Sequence, residues 1–109
     1  MFIRVWRYVA ASGREADFER VYGPEGDWAQ LFSVGDGYRR TELLRGAAAG
    51  EYLVIDRWVS RDAWQAFLDA HRTAYDALDR RCRALTESEV PVGDYVPVEP
   101  AALESADDD

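Results

Sequence analysis

Neither lysine nor asparagine occurs in the 109 residues, and cysteine, histidine and methionine occur once each. Each shortage closes off a chemistry. Without lysine no side-chain amine can form a Schiff base. A lone Cys82 rules out an internal disulfide and a cysteine-cluster metal centre. A lone His71 leaves no histidine pair to hold a metal, so no metal site is expected. All 13 basic residues are arginine, a bias that a GC-rich genome produces. No apolar run approaches the ~18 residues of a membrane span. The opening MFIRVWRYV alternates instead of forming the apolar centre of a secretion signal. The protein is therefore expected to be cytoplasmic, with no membrane partner. No G-x-S-x-G elbow, no G-x-x-x-x-G-K phosphate loop and no G-x-G-x-x-G after a strand is present.

The net charge of −8 is carried mostly by the end of the chain. Glu99, Glu104, Asp107, Asp108 and Asp109 all follow Val98. Without those five, 16 acids face 13 arginines, a balance of −3 that gives no basic surface for a phosphate backbone. No nucleic-acid partner is expected. The composition divides the chain into one domain over residues 1–98 and an acidic tail over 99–109 expected to be disordered.

Phe2 to Val9 alternates and is rich in β-formers, so it reads as a strand. Ser12 followed by Glu15 matches a capping box that opens a helix over Arg14 to Tyr22. YGPEGD breaks it, and Asp27 is placed to cap a short second helix through Trp28, Leu31 and Phe32. Residues 38–45 and 52–59 read as a second and third strand around GAAAGE. Ser60 then caps a long helix to about Leu85, with Val59 and Trp64 as a hydrophobic staple. From Glu89 the alternation resumes, but Pro91 and Pro97 restrict that segment to a sheet edge. The order β-α-β-β-α-β is the α+β, ferredoxin-like pattern, a four-stranded antiparallel sheet covered by helices on one face.

Both sheet faces carry apolar side chains. Phe2, Trp6 and Tyr8 share one face with Arg4, while Ile3, Val5 and Val9 share the other with Arg7. The third strand divides likewise: Tyr52, Val54 and Trp58 with Asp56, against Leu53, Ile55 and Val59 with Arg57. Helices cover one face only, so the second needs another partner, most simply a second copy of the chain. A homodimer is expected.

The long helix carries Trp64, Leu68, His71, Tyr75, Leu78, Cys82 and Leu85 at alternating spacings of four and three, which puts all seven on one stripe. His71 is then either a core histidine with one hydrogen bond or, if the stripe borders a cavity, a proton shuttle. Cys82 reads as an inert buried thiol. Trp6, Tyr8, Tyr52 and Trp58 are either plain core or the wall of a pocket for a flat ligand, with Phe32 as a further wall residue. Arg4 and Asp56 on that aromatic face need partners, either each other or a polar ligand.

Three segments, FIRVWRYVAASGREADFERVY, LFSVGDGYRRTELLR and YLVIDRWVSRDAWQAFLDAH, together resemble the antibiotic biosynthesis monooxygenase (ABM) domains of the dimeric α/β-barrel superfamily. A Gly-containing turn between the first strand and helix, a GY before the second strand, and a W-x-S at the end of the third carry the likeness. The resemblance covers nearly all of residues 1–98. It implies a dimeric α/β barrel with a pocket between sheet and helices in each subunit. Some members oxidise electron-rich polycyclic aromatics with O2 and no cofactor, and others cleave haem. By position, Trp58 matches the pocket tryptophan of W-x-S. Trp6 stands where the haem-cleaving branch has a catalytic asparagine, and Ala77 near that branch's haem-ligating histidine. Both departures argue against haem cleavage here. The implied activity is a cofactor-independent monooxygenase. Trp58, Trp6 and Tyr8 would hold an aromatic ring, with Tyr52, Asp56 and Phe32 as further substrate contacts. His71 would relay the proton, and Arg4 would stabilise developing negative charge. The alternatives are a non-catalytic dimeric protein that binds a small hydrophobic ligand or supports a pathway partner, and a haem-binding protein through His71.

Overall fold

The computed structural model describes residues 1–99. The acidic tail expected over 99–109 lies outside the described residues past Glu99. The elements are β1 (Phe2–Ala10), α1 (Glu15–Tyr22), α2 (Asp27–Phe32), β2 (Tyr38–Arg45), β3 (Glu51–Trp58), α3 (Arg61–Cys82) and β4 (Thr86–Tyr95). A 3-10 turn over Arg83–Leu85 links the last two. The sheet is antiparallel with order β2-β3-β1-β4. This is the ferredoxin-like α+β fold read from the sequence.

The capping predictions divide. Ser60 behaves as expected: its extended backbone leaves its Oγ to accept the Ala63 N–H at 3.0 Å. Ser12 does not cap α1. The Arg14 N–H donates to the Ala11 carbonyl at 2.9 Å, closing a tight turn with Gly13 at φ +81°. That turn uses Ser12 as a corner residue, and the helix starts at Glu15 behind Arg14 with no side-chain cap. Asp27 likewise lies inside α2, whose capping position is Gly26. There its charge faces the positive helix start, and Arg81 lies 3.4 Å away. β4 begins at Thr86 rather than Glu89, and steps out of register with β1 at two points, after Val5 and after Val9. Pro91 sits on this edge strand, where a missing N–H costs no ladder bond.

The GY at 37–38 has a specific structural basis. Gly37 has φ +91°, and its carbonyl accepts the Val59 N–H at 2.7 Å. A Cβ there would lie 2.6 Å from Val59 Cγ2 and 2.8 Å from Ala63 Cβ. The glycine thus lets the start of β2 rest against the β3–α3 junction.

The core lies between sheet and helices. Phe2, Tyr8, Ala10, Tyr52, Val54 and Trp58 are buried on the helix-facing side, and Phe18, Tyr22, Trp28, Phe32, Trp64 and Phe67 pack onto them. Trp58 and Phe18 are fully buried, each contributing about 2–3 kcal/mol of transfer free energy. On the other face Ile3, Val5, Val9, Leu53 and Ile55 are only half-buried, and Leu44, Val90 and Val92 are exposed.

The α3 stripe holds in most places. Trp64, Leu78 and Cys82 are buried, as is Leu85 in the 3-10 turn, while Leu68 and Tyr75 are half-buried. Phe67 is also buried and was not on the predicted stripe. His71 is half-buried like Leu68 and Tyr75, with its ring 5.2 Å from that of Phe67, but its φ −125° and ψ 26° break the helix.

Candidate functional site

Between the sheet and the helices a cavity opens, with Tyr8, Val54 and Asp56 on its floor. Tyr22, Trp28 and Phe32 wall it from α1 and α2. Its rim is formed by Arg4 and Trp6 from β1, Tyr75 and Asp79 from α3, and Glu89 from β4. The volume is about 40 Å³, room for a few water molecules and not for a ring system.

Asp56 is the buried acid of this site, 8% exposed. Strand alternation puts it on the helix-facing side of β3, between Val54 and Trp58. Its Oδ1 accepts the Thr41 hydroxyl at 2.6 Å, and Thr41 Oγ1 is 2.7 Å from the Tyr38 hydroxyl. Thr41 spends its one proton on Asp56, so Tyr38 is the donor of the second bond. Oδ2 has no hydrogen-bond partner among the described residues. Burial pushes the Asp56 carboxyl up to about 6, against the opposing pull of Thr41 and then Arg4.

Arg4 and Asp56 face each other in the β1–β3 register but do not bond. Arg4 Nε instead donates to Asp94 Oδ1 at 3.3 Å, and its guanidinium lies over the Trp64 ring at 4.3 Å. Of the two alternatives, direct pairing does not occur: Arg4 takes Asp94 and Trp64, and Asp56 takes Thr41. Burial raises the Tyr8 and Tyr22 hydroxyls far above their ordinary range, so both stay protonated. Glu89 is raised as well, by burial and then by the charge of Asp79.

The indole N–H groups of Trp28 and Trp58 are buried without an acceptor among the described residues. An orphaned donor costs about 1–3 kcal/mol. Trp28 stands in the cavity wall with its indole N–H close to the Tyr22 hydroxyl and the Cys82 thiol, near enough to interact but without good hydrogen-bond geometry.

Of the residues expected at a site, the cavity brings together Arg4, Trp6, Tyr8, Phe32 and Asp56. Three others lie elsewhere. Trp58 is fully enclosed by aromatic rings, with Tyr38 at 5.3 Å and Trp64 at 5.5 Å between centroids. Tyr52 donates its hydroxyl to Glu19 Oε2 at 2.6 Å, in a clasp that Arg45 completes at 2.9 Å. His71 lies outside the cavity lining at the break in α3. Tyr22, Trp28, Tyr75, Asp79 and Glu89 were missed. Tyr75 was readable from its place on the α3 stripe, but the others needed the strand-to-helix packing.

The profile described as "Antibiotic biosynthesis monooxygenase" matches residues 1–76. The chain belongs to the ABM family. Among solved structures, it is similar to SnoaB, a cofactor-independent oxygenase from Streptomyces nogalater. That match has 24% identity and a TM-score of 0.73, and covers 93% of this chain and 96% of that one. A putative antibiotic biosynthesis monooxygenase from Deinococcus radiodurans matches at 18% identity and a TM-score of 0.64, covering 96% of this chain and all of that one. MhuD, in a structure with two manganese protoporphyrin IX molecules bound per active site, matches at 17% identity and a TM-score of 0.66, with 91% and 96% covered. These likenesses establish the shared fold. No curated protein matches the chain with significance. Among the described residues no helix is long and apolar enough to cross a membrane.

Proposed function

We propose that this ABM protein oxidises an electron-rich, hydroxylated aromatic with O2 and without a cofactor, in the cavity floored by Asp56. The observation that supports this reading best is an aromatic-walled cavity holding one buried acid, with a guanidinium at its rim. An anthrone-type substrate has enough electrons for the reaction. Its CH2 carbon gives up two hydrogens and four electrons and becomes a carbonyl, and O2 supplies that carbonyl oxygen and one water. The protein removes a proton, orients the ring and excludes bulk water. Tyr8, Trp28 and Phe32 hold the ring. Arg4 stabilises the negative charge that develops.

The closed cavity is too small for such a substrate, so binding displaces the half-exposed rim side chains Trp6 and Tyr75. The half-covered outer face of the sheet, with Val5, Leu53 and Ile55 at its centre, supports a homodimer packed sheet to sheet. The narrow cavity also favours one competing reading, a ligand-binding protein without turnover.

Oxygen uptake with a panel of anthrones and hydroquinones separates the two. Turnover that falls at least tenfold in Asp56→Asn supports the oxygenase. Saturable binding with no oxygen uptake from any member of the panel supports the binding protein.

A further inference from the structure

We infer that Asp56, with the hydroxyl chain through Thr41 and Tyr38, forms a proton-accepting subsite that selects ligands bearing an aromatic hydroxyl. The inference deepens the cavity reading above but does not depend on turnover. Its first support is geometric. Oδ1 accepts the Thr41 hydroxyl at 2.6 Å, while Oδ2 has no hydrogen-bond partner among the described residues and Asp56 lines the cavity. Oδ2 is not one of the sealed unpartnered atoms, so it is open to the cavity, where a water or a ligand hydroxyl can donate to it. The cavity walls are aromatic. A phenol matches the chemistry of this set once Trp6 and Tyr75 at the rim give way to admit its ring: the ring would lie against the aromatics, with its O–H on Oδ2.

The second support is the path behind the acid. Thr41 is 2% exposed, and Tyr38 beyond it borders a shallow groove with Pro24 and Arg39 that opens to solvent. When a ligand O–H breaks, the proton forms a bond to the Asp56 carboxylate and the electron pair stays on the ligand oxygen. Release through Thr41 requires the carboxyl to turn so that its proton lies on the oxygen facing Thr41, and both hydroxyls to rotate; Asp56 then gives its proton to Thr41, Thr41 its own to Tyr38, and Tyr38 its own to water in the groove. An isolated buried acid would have no such outlet.

The charged and titratable groups around Asp56 are Arg4 and Tyr8 from β1, Tyr22 from α1, Tyr75 and Asp79 from α3, and Glu89 from β4. Tyr8 and Tyr22 stay protonated. Arg4 and Thr41 are the two groups that favour the Asp56 anion. Asp56, ordinarily near 3.8 and here raised to about 6, changes charge just below neutral pH.

The test is calorimetric titration of the full chain with 2-naphthol and with 2-methoxynaphthalene from about pH 5 to about pH 8, where 2-naphthol stays neutral. The charge-assisted bond to Asp56 predicts a preference for naphthol of about tenfold above pH 7. The preference shrinks as pH falls through about 6. Asp56→Asn abolishes both the preference and its pH dependence. Thr41→Val removes the donor that favours the anion, so it moves the midpoint to higher pH. Equal binding of the two compounds by the wild type, no naphthol binding at high pH, or a pH-dependent preference that persists in Asp56→Asn would each overturn the inference. Oxygen uptake plays no part in these readouts, so failure of the oxygenase reading leaves the subsite standing, and the reverse.

Discussion

Arg4 lies with its guanidinium 4.3 Å from the Trp64 ring centroid while its Nε bonds Asp94, so one side chain ties β1 to both α3 and β4 at the cavity rim. The stacked contact is worth about 0.5–2 kcal/mol, and the same charge favours the Asp56 anion. Arg4→Gln is expected to lower the unfolding midpoint by several degrees and to raise the Asp56 carboxyl beyond its value of about 6. Arg4→Lys keeps the charge but not the planar stack, so it restores the Asp56 titration while leaving much of the stability loss. Carbon-13 titration of the aspartate carboxyls and thermal melts of the two variants read these effects separately.

Gly37 is expected to tolerate no side chain. An added methyl meets Val59 and Ala63 at under 3 Å, on a backbone with φ +91°. Overlap and strain together predict a loss of about 2–4 kcal/mol for Gly37→Ala in urea unfolding. A loss below about 1 kcal/mol would mean that the β3–α3 junction yields more readily than its packing indicates.

Much of this was legible in the sequence because it rests on local periodicity. Two-residue alternation places Arg4 and Asp56 on the helix-facing side, and Ser60 announces α3. The capping box failed because Ser12–Gly13 forms a tight turn, and a motif count cannot tell a turn corner from a helix start. His71 packs on Phe67 as an inward residue but lies outside the cavity lining. Spacing assumes an unbroken helix, and α3 breaks at His71 itself. Trp58 was correctly read as facing the helices, but facing inward does not distinguish a cavity wall from a ring enclosed by other rings. That distinction depends on side chains from α2 and α3 whose packing no local pattern specifies. The match of the ABM profile fixes the family, yet it leaves open which inward residues border free space.

Tyr52 is expected to matter for stability and not for ligand binding. With Arg45 it holds the Glu19 carboxyl down at about 2, the Arg45 bonds being the larger cause. A depressed carboxylate stabilises the fold above its ordinary value near 4.5, and that contribution is lost as pH falls toward about 2. Tyr52→Phe should cost about 1 kcal/mol at neutral pH, since Arg45 remains and is well exposed. The loss on acidification should still begin near 4.5, where the unfolded chain takes up its proton, but should be smaller and complete at higher pH than in the wild type. Naphthol affinity should not change, because Tyr52 does not line the cavity.

His71 provides a sharp contrast with Asp56. Its half-exposed ring rests on Phe67 outside the cavity, at a residue that already breaks the helix. His71→Ala introduces a better helix former and removes one edge of aromatic contact. Stability is expected to stay within about 1 kcal/mol, with ligand affinity and any oxygen uptake within about twofold of wild type. A large loss of uptake with unchanged binding would return the proton-transfer role to His71.

Asp56 should make the protein less stable as pH rises, the opposite of the usual carboxylate. In the unfolded chain it loses its proton near 3.8, while in the folded chain it keeps it up to about 6. Between those values the folded state binds more protons, so stability falls as pH rises through that window and then levels off. A shift of roughly two units corresponds to about 3 kcal/mol at most. Asparagine cannot ionise, and its amide oxygen can still accept the Thr41 hydroxyl. Asp56→Asn should therefore gain stability relative to wild type at about pH 8 and lose that advantage near pH 4, as measured by urea unfolding at each pH. The same variant is expected to lose its preference for naphthol. Stability gained together with function lost would mark Asp56 as a charge that the fold tolerates for the sake of the cavity. An asparagine variant less stable than wild type at both pH values would show instead that the carboxylate serves the fold.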